Sequence, residues 1–188
     1  MRDFDIRLLL RQIHLSKLFD DPDSKIVEEL KIPAAQARID LAVINGHLHG
    51  FEIKSAVDTL RRLPNQIQAY TKVFDYLSII TEGKYYQQII NSTPDWVGVY
   101  TCTSKKGIDK MKMVRPASIN NSKEAFYIAK LLWRTELLDV LQENNIRFKT
   151  KDRNWLLAEA LASNLSISEL SRVVRARLKQ RENWKVDL

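Results

Sequence analysis

The stretch RIDLAVINGHLHGFEIKS, residues 38–55, followed by NQIQAY at 65–70, decides how this chain is read. In its first half Ile39, Leu41 and Val43 alternate with Arg38, Asp40 and Ala42, the period of a β-strand with two chemically different faces. Asn45-Gly46 is a hairpin signal, and LHGFEIKS reads as the return strand. A two-residue turn at Asn45-Gly46 would set Asp40 across from Phe51 and Ile39 across from Glu52, mixing acids with apolar partners on both faces. A three-residue loop, Asn45 to His47, sets Ile44 against Leu48, Leu41 against Phe51, Ile39 against Ile53 and Asp40 against Glu52. One face is then apolar and the other gathers Asp40, Glu52 and Lys54. The expectation is this longer loop, or a bulge at Gly50 that corrects the shorter one.

Two carboxylates facing each other across a hairpin are oxygen ligands suited to a hard divalent cation, Mg²⁺ or Mn²⁺, with positions left for water and a phosphate. Lys54, two residues beyond Glu52 and on the same face, could position an attacking water or stabilise the negative charge of a phosphoryl transition state. In the helix expected over NQIQAYTKVFDY, with Pro64 at its first position, Gln66 and Tyr70 lie four apart and share a face. Upstream, KIVEEL at 25–30 reads as a short helix capped by Asp23 or Ser24, with Ile26, Val27 and Leu30 inward. Glu29 on that helix could add a further acid if the helix lies against the sheet. Glu28 is the fallback, because helix phase does not choose between them.

Outward from this centre, residues 3–19 read as an amphipathic first helix with Ile6, Leu9, Leu10 and Ile13 inward. After the hairpin and its helix, YLSIIT is a strand, EGKYYQQIIN a short helix and DWVGVYTC another strand, with KMKMVRPAS as an added edge strand. The expected class is α/β: a mixed central sheet flanked by helices. From Asn121 the pattern turns helical, through SKEAFYIAKLLWRTELLDVLQEN, DRNWLLAEALAS and SISELSRVVRARLKQRENW, the last opened by a Ser166–Glu169 capping box. A boundary near 116–121 divides a core of residues 1–118 from a helical C-terminal subdomain, 119–188.

Composition narrows the function classes. A chain of 188 residues, 45% hydrophobic, can bury one good core or a core with a small appendage. No apolar run is long enough to span a bilayer, and charges interrupt the apolar residues of MRDFDIRLLLRQ, so a cytoplasmic protein with no membrane partner is expected. Cys102, the single cysteine, excludes an intrachain disulfide and a cysteine-cluster zinc site. As a nucleophile Cys102 lacks an obvious base nearby. The formal charge of +7 favours polyanionic partners.

The series Asp40, Glu52-Ile53-Lys54, Gln66-x-x-x-Tyr70 resembles the PD-(D/E)xK nuclease superfamily, and its Gln and Tyr are most similar to those of RecB-like nucleases. More fully, IVEEL, RIDLAVINGHLHGFEIKS, RLPNQIQAY and LLWRTELL resemble a family of small bacterial and phage proteins assigned to that superfamily, with no established role. The resemblance implies a restriction-endonuclease-like αβββαβ core, dependence on Mg²⁺ or Mn²⁺, and DNA as partner and substrate. It carries catalytic roles to Asp40, Glu52, Lys54, Gln66, Tyr70 and Glu29, with Asp40 and Glu52 as metal ligands. Ile39 stands where the superfamily's name has proline. The resulting expectation is a metal-dependent deoxyribonuclease. The alternative is a catalytically inactive nuclease-fold module that binds DNA or a protein. A homodimer or protein partner is compatible with either.

Other candidates have plainer readings. His47 and His49 form an HxH without a third zinc ligand, and the register places His49 opposite Val43, as a partly buried or turn-side residue. His14 reads as a surface or boundary histidine. The last helix carries Arg172, Arg175, Arg177, Lys179 and Arg181; Arg172, Arg175 and Lys179 are candidates for contact with a DNA backbone, against a solvated charged face. Trp133, Trp155 and Trp184 read as core anchors in apolar helical patterns.

Overall fold

The computed structural model describes residues 3–34, 37–55, 58–105 and 108–182. Its centre is a six-stranded mixed sheet in the order β1-β2-β3-β4-β5-β6. The strands are β1 Lys25–Ile32, β2 Ala37–Ile44, β3 Leu48–Lys54, β4 Tyr76–Glu82, β5 Gly98–Lys105 and β6 Ile108–Arg115. β1, β2 and β3 form an antiparallel meander, β3, β4 and β5 run parallel, and β6 returns antiparallel along β5. The two parallel connections are made by helices α3, Leu63–Thr71, and α4, Tyr86–Ser92, as parallel pairs require. Among the described residues no helix is long and apolar enough to cross a membrane.

KIVEEL is a strand, not a helix. Its Glu, Leu and Lys residues favour a helix locally, but six residues ending near Pro33 make at most a marginal one. Pairing along the whole of β2 satisfies the same backbone groups better.

The hairpin uses the three-residue loop: Ile44 pairs with Leu48, Val43 with His49 and Leu41 with Phe51. The Asn45 carboxamide accepts from the His47 N–H at 3.0 Å and stabilises it. The expected continuation to Asp40–Glu52 and Ile39–Ile53 does not form, because the ladder ends at Leu41–Phe51. β1 and β2 are also interrupted here. Their pairs run from Lys25–Ile44 to Glu28–Leu41 and resume at Leu30–Ile39, leaving Glu29 and Asp40 at the break. Glu29 has a φ of 57°, a left-handed conformation costly for a residue with a Cβ.

Apolar side chains cover both faces of the sheet. On one face Leu41, Val43, Phe51, Ile53, Ile80 and Cys102 pack with Ile6, Leu9, Leu10 and Leu15 from the N-terminal segment. That segment is α1, Asp3–Leu9, a π-helical turn over Leu10–His14, and α2, Ser16–Phe19. The wider turn is closed by the Leu15 N–H donating to the Leu10 carbonyl at 3.0 Å. It shifts the helical phase, so Ile13 is 54% exposed, contrary to its helical spacing, and Leu15 takes the buried place.

The other face packs against α3 and four C-terminal helices: α5 Ala125–Ala129, α6 Arg134–Glu143, α7 Asn154–Asn164 and α8 Ile167–Gln180. The helix expected over 122–144 is thus two helices. Ile128, Leu137, Leu157, Leu170 and Val174 share one apolar cluster with Ile39, Ile44, Leu77 and Val99 of the sheet. Ser166 and Glu169 form the expected capping box of α8. Trp155, at 51% exposure, is not a core anchor: α7 turns Leu157, Ala158 and Leu161 inward instead. Trp133 is half-buried under the Arg181 guanidinium, 4.2 Å from its ring, and Trp184 lies outside the described residues.

Candidate active site

Where β2 and β3 part, the Asp40 side chain enters the gap. Its Oδ2 accepts from the Ile53 main-chain N–H at 2.7 Å, so a side chain takes a donor that a continuing ladder would have used. The two acids are therefore not cross-strand partners as the hairpin pattern suggested, but both line one cleft of about 1540 Å³. Burial, and next the charge of Glu52, push the Asp40 carboxyl up to about 7, against the Ile53 N–H and Arg7, which pull it down.

Glu52 and Lys54 project from β3 towards α3 and are almost completely buried. Lys54 Nζ donates to Glu52 Oε1 at 2.7 Å and to Gln66 Oε1 at 2.9 Å. Gln66 Nε2 donates to the same Glu52 oxygen at 2.7 Å. The Tyr70 hydroxyl lies 2.7 Å from Glu52 Oε2 and 2.8 Å from the Arg38 carbonyl, two acceptors for its single proton. Burial first, and then Glu52, raise the Tyr70 pKa, so the phenol stays protonated as a donor. The four-residue spacing on α3 aims Gln66 and Tyr70 at one carboxylate.

Glu29 reaches the site from β1, not from a helix. Its carboxylate pairs with Arg7 at 2.7 Å and Arg38 at 2.6 Å, and Arg7 also donates to Asp40 Oδ1 at 2.9 Å. Glu28 pairs with Arg11 instead. Arg7 is the polar contact that the sequence pattern missed. Its spacing from Asp3 marks a helical ion pair, but nothing local connects it to residues more than twenty positions away.

Among the described residues no group of three or more His, Cys, Asp or Glu side chains could hold a metal ion by itself. The donor set at Asp40 and Glu52 nevertheless fits Mg²⁺, which takes one or two carboxylates and completes its shell with water and phosphate oxygens. Neither imidazole nor thiol belongs to it. His49 Nε2 lies 2.9 Å from Ser78 Oγ and its ring stacks on Phe51, while burial lowers its pKa to about 3. Burial pushes the Cys102 thiol up to about 12, which removes it as a nucleophile at neutral pH. His14 sits at a boundary, its Nε2 3.1 Å from the Tyr100 hydroxyl.

The basic residues of α8 lie apart from this constellation. Arg175 pairs with the buried Asp75 at 3.6 Å, Arg177 pairs with Glu143, and Lys179 donates to the Asp23 carbonyl at 3.1 Å. Arg172 is exposed, one helical turn after Glu169. Arg172, Arg175 and Lys179 are not among the side chains lining the cleft, whereas Arg7, Lys31, Arg38, Arg62 and Lys130 are.

The family model described as bacteriophage P4 protein cII matches residues 6–186. Protein cII of Enterobacteria phage P4 is 29% identical over 159 residues, which cover 85% of this chain and 60% of that protein. The chain thus spans about three-fifths of the length of this relative. Among solved structures, the SPO1766 protein of unknown function from Silicibacter pomeroyi is similar at 17% identity and a TM-score of 0.42, over 74% of this chain and 90% of that one.

Proposed function

The chain belongs to the bacteriophage P4 protein cII family, and for it we propose a metal-dependent nuclease that hydrolyses DNA phosphodiester bonds in the cytoplasm. The observation that carries this reading is the convergence of Asp40, Glu52, Lys54 and Gln66 on one cleft, with the buried Tyr70 hydroxyl hydrogen-bonded to Glu52 behind them. With α1 and α2 counted as one N-terminal helical segment, the order of that segment, β1, β2, β3, α3 and β4 is compatible with the αβββαβ core that the PD-(D/E)xK resemblance implies.

Asp40 and Glu52 would hold Mg²⁺ or Mn²⁺. The chemistry such a cation supplies when bound is polarisation of the phosphodiester and a lower pKa for the attacking water. Lys54 Nζ, with two of its three N–H groups on Glu52 and Gln66, would offer the third to the attacking water or a phosphoryl oxygen, where low dielectric strengthens it. Gln66 orients Lys54 and Glu52 together, and Tyr70 holds the far oxygen of Glu52. Arg62, Lys31, Arg38 and Lys130 on the cleft walls supply attraction for a phosphate backbone. Cation-dependent cleavage of DNA by the wild type, lost in Asp40→Ala and Lys54→Ala, tests the reading. Binding of DNA without cleavage supports a nuclease-fold binding module instead.

A further inference from the structure

We infer that Arg7 is a positioning residue for Asp40, its guanidinium fixing the carboxylate by holding the side chain and the main chain of that residue at once. The inference rests on the nuclease reading, in which Asp40 is a cation ligand. Arg7 Nη1 donates to the Asp40 main-chain carbonyl at 3.0 Å, and Nη2 donates to Oδ1 of the same residue at 2.9 Å. Nη2 also reaches Glu29 Oε1 at 2.7 Å, and Nε donates to Asp3 Oδ1 at 2.6 Å, which fixes the plane of the guanidinium. From the opposite side the Ile53 N–H holds Asp40 Oδ2. Two donors from two elements therefore set the orientation of a carboxylate at a place where the β-ladder no longer does so.

Only a planar fork serves a carbonyl and a carboxylate from fixed angles; an ammonium offers a single point of charge. The seat of α1 does not depend on this contact. Ile6 and Leu9 on α1, and Leu10 at the start of the next turn, are buried in the apolar cluster against the sheet.

The sign of the effect on cation binding separates positioning from charge alone. A guanidinium beside a cation repels it, so a purely electrostatic Arg7 would weaken binding and its removal would tighten it. Positioning predicts the reverse, since hydrogen-bond partners that orient metal ligands are worth about 10- to 100-fold in affinity.

The experiment is calorimetric titration of the whole chain with Mn²⁺ in the absence of nucleic acid, for wild type, Arg7→Gln, Arg7→Lys and Arg11→Gln. Arg11 lies on the adjoining turn and pairs with Glu28. The expected result is binding weaker by about 10-fold or more in both Arg7 variants and unchanged in Arg11→Gln. Thermal melts identify folded variants, and Arg7→Lys, which keeps the charge, reports on the fork if Arg7→Gln does not fold. Mn²⁺ bound equally or more tightly by a folded Arg7 variant overturns this inference alone. A wild type that takes up no Mn²⁺ overturns it together with the nuclease reading.

Discussion

The Asp40 carboxylate and the Ile53 main-chain N–H are 2.7 Å apart, just beyond Leu41–Phe51, the last pair of the β2–β3 ladder. A side chain has replaced strand pairing at this point, and the replacement puts a half-buried acid beside Glu52, with Arg7 as the cation paired to it. The pH dependence expected of the site, and the cation dependence proposed for it, both follow from that.

Asp40→Asn should stabilise the metal-free protein in a pH-dependent way. The Asp40 pKa rises on folding from 3.8 to about 7, so the folded chain holds this proton more tightly than the unfolded chain. Its contribution favours the fold below about pH 4 and is lost as pH rises through about 7. Asparagine keeps an acceptor for the Ile53 N–H and has no charge to bury, but its amide N–H₂ then faces the Arg7 donor from which Oδ1 accepts in the wild type, which takes back part of the gain. In chelator at pH 8 the variant should be more stable by about 1–3 kcal/mol, with the gap closing towards pH 4. Thermal melts across pH measure this, and a gap independent of pH contradicts it.

His49 should make the protein acid-sensitive. Its pKa falls on folding from 6.5 to about 3, because burial against Phe51 and Ser78 disfavours the imidazolium. The stability tied to its neutral form is complete above about pH 6.5 and is lost as pH falls towards 3. His49→Gln should therefore lose less stability than wild type between about pH 6.5 and pH 4.5, by roughly 2–3 kcal/mol. Denaturant melts at the two pH values decide it; parallel losses would remove His49 as the cause.

The π-turn predicts an inversion at two neighbouring positions. Ile13 has the spacing of a core residue but is 54% exposed, whereas Leu15 is 1% exposed. Ile13→Ser should change stability by no more than about 0.5 kcal/mol. Leu15→Ala should cost about 2–5 kcal/mol, as expected when a buried leucine is truncated. Comparable losses at both positions would mean that the first helix runs on without the wider turn.

Much of the fold and of the candidate site was legible where a pattern had one physical solution. Alternating apolar residues on both arms of the hairpin disfavoured a plain two-residue turn and left the three-residue loop, which forms, or a bulge at Gly50, and the Gln66–Tyr70 spacing put both side chains over Glu52. Local signals misled where a distant partner decided the outcome. KIVEEL has helix-forming residues but pairs with the whole of β2. Trp155 sits in an apolar run, yet α7 offers the core a different face. The splaying of β2 from β3 depends on Arg7 and Ile53 meeting Asp40, and no periodicity encodes a contact across 33 residues.

The central claim is tested most directly by fragment release from end-labelled single- and double-stranded DNA, with Mg²⁺ or Mn²⁺ and with chelator, by wild type, Asp40→Ala and Lys54→Ala. The account predicts cation-dependent cleavage by the wild type, abolished by chelator and reduced by about 100-fold or more in either variant. Equal activity in all three proteins, or DNA bound by the wild type and never cut, would contradict it.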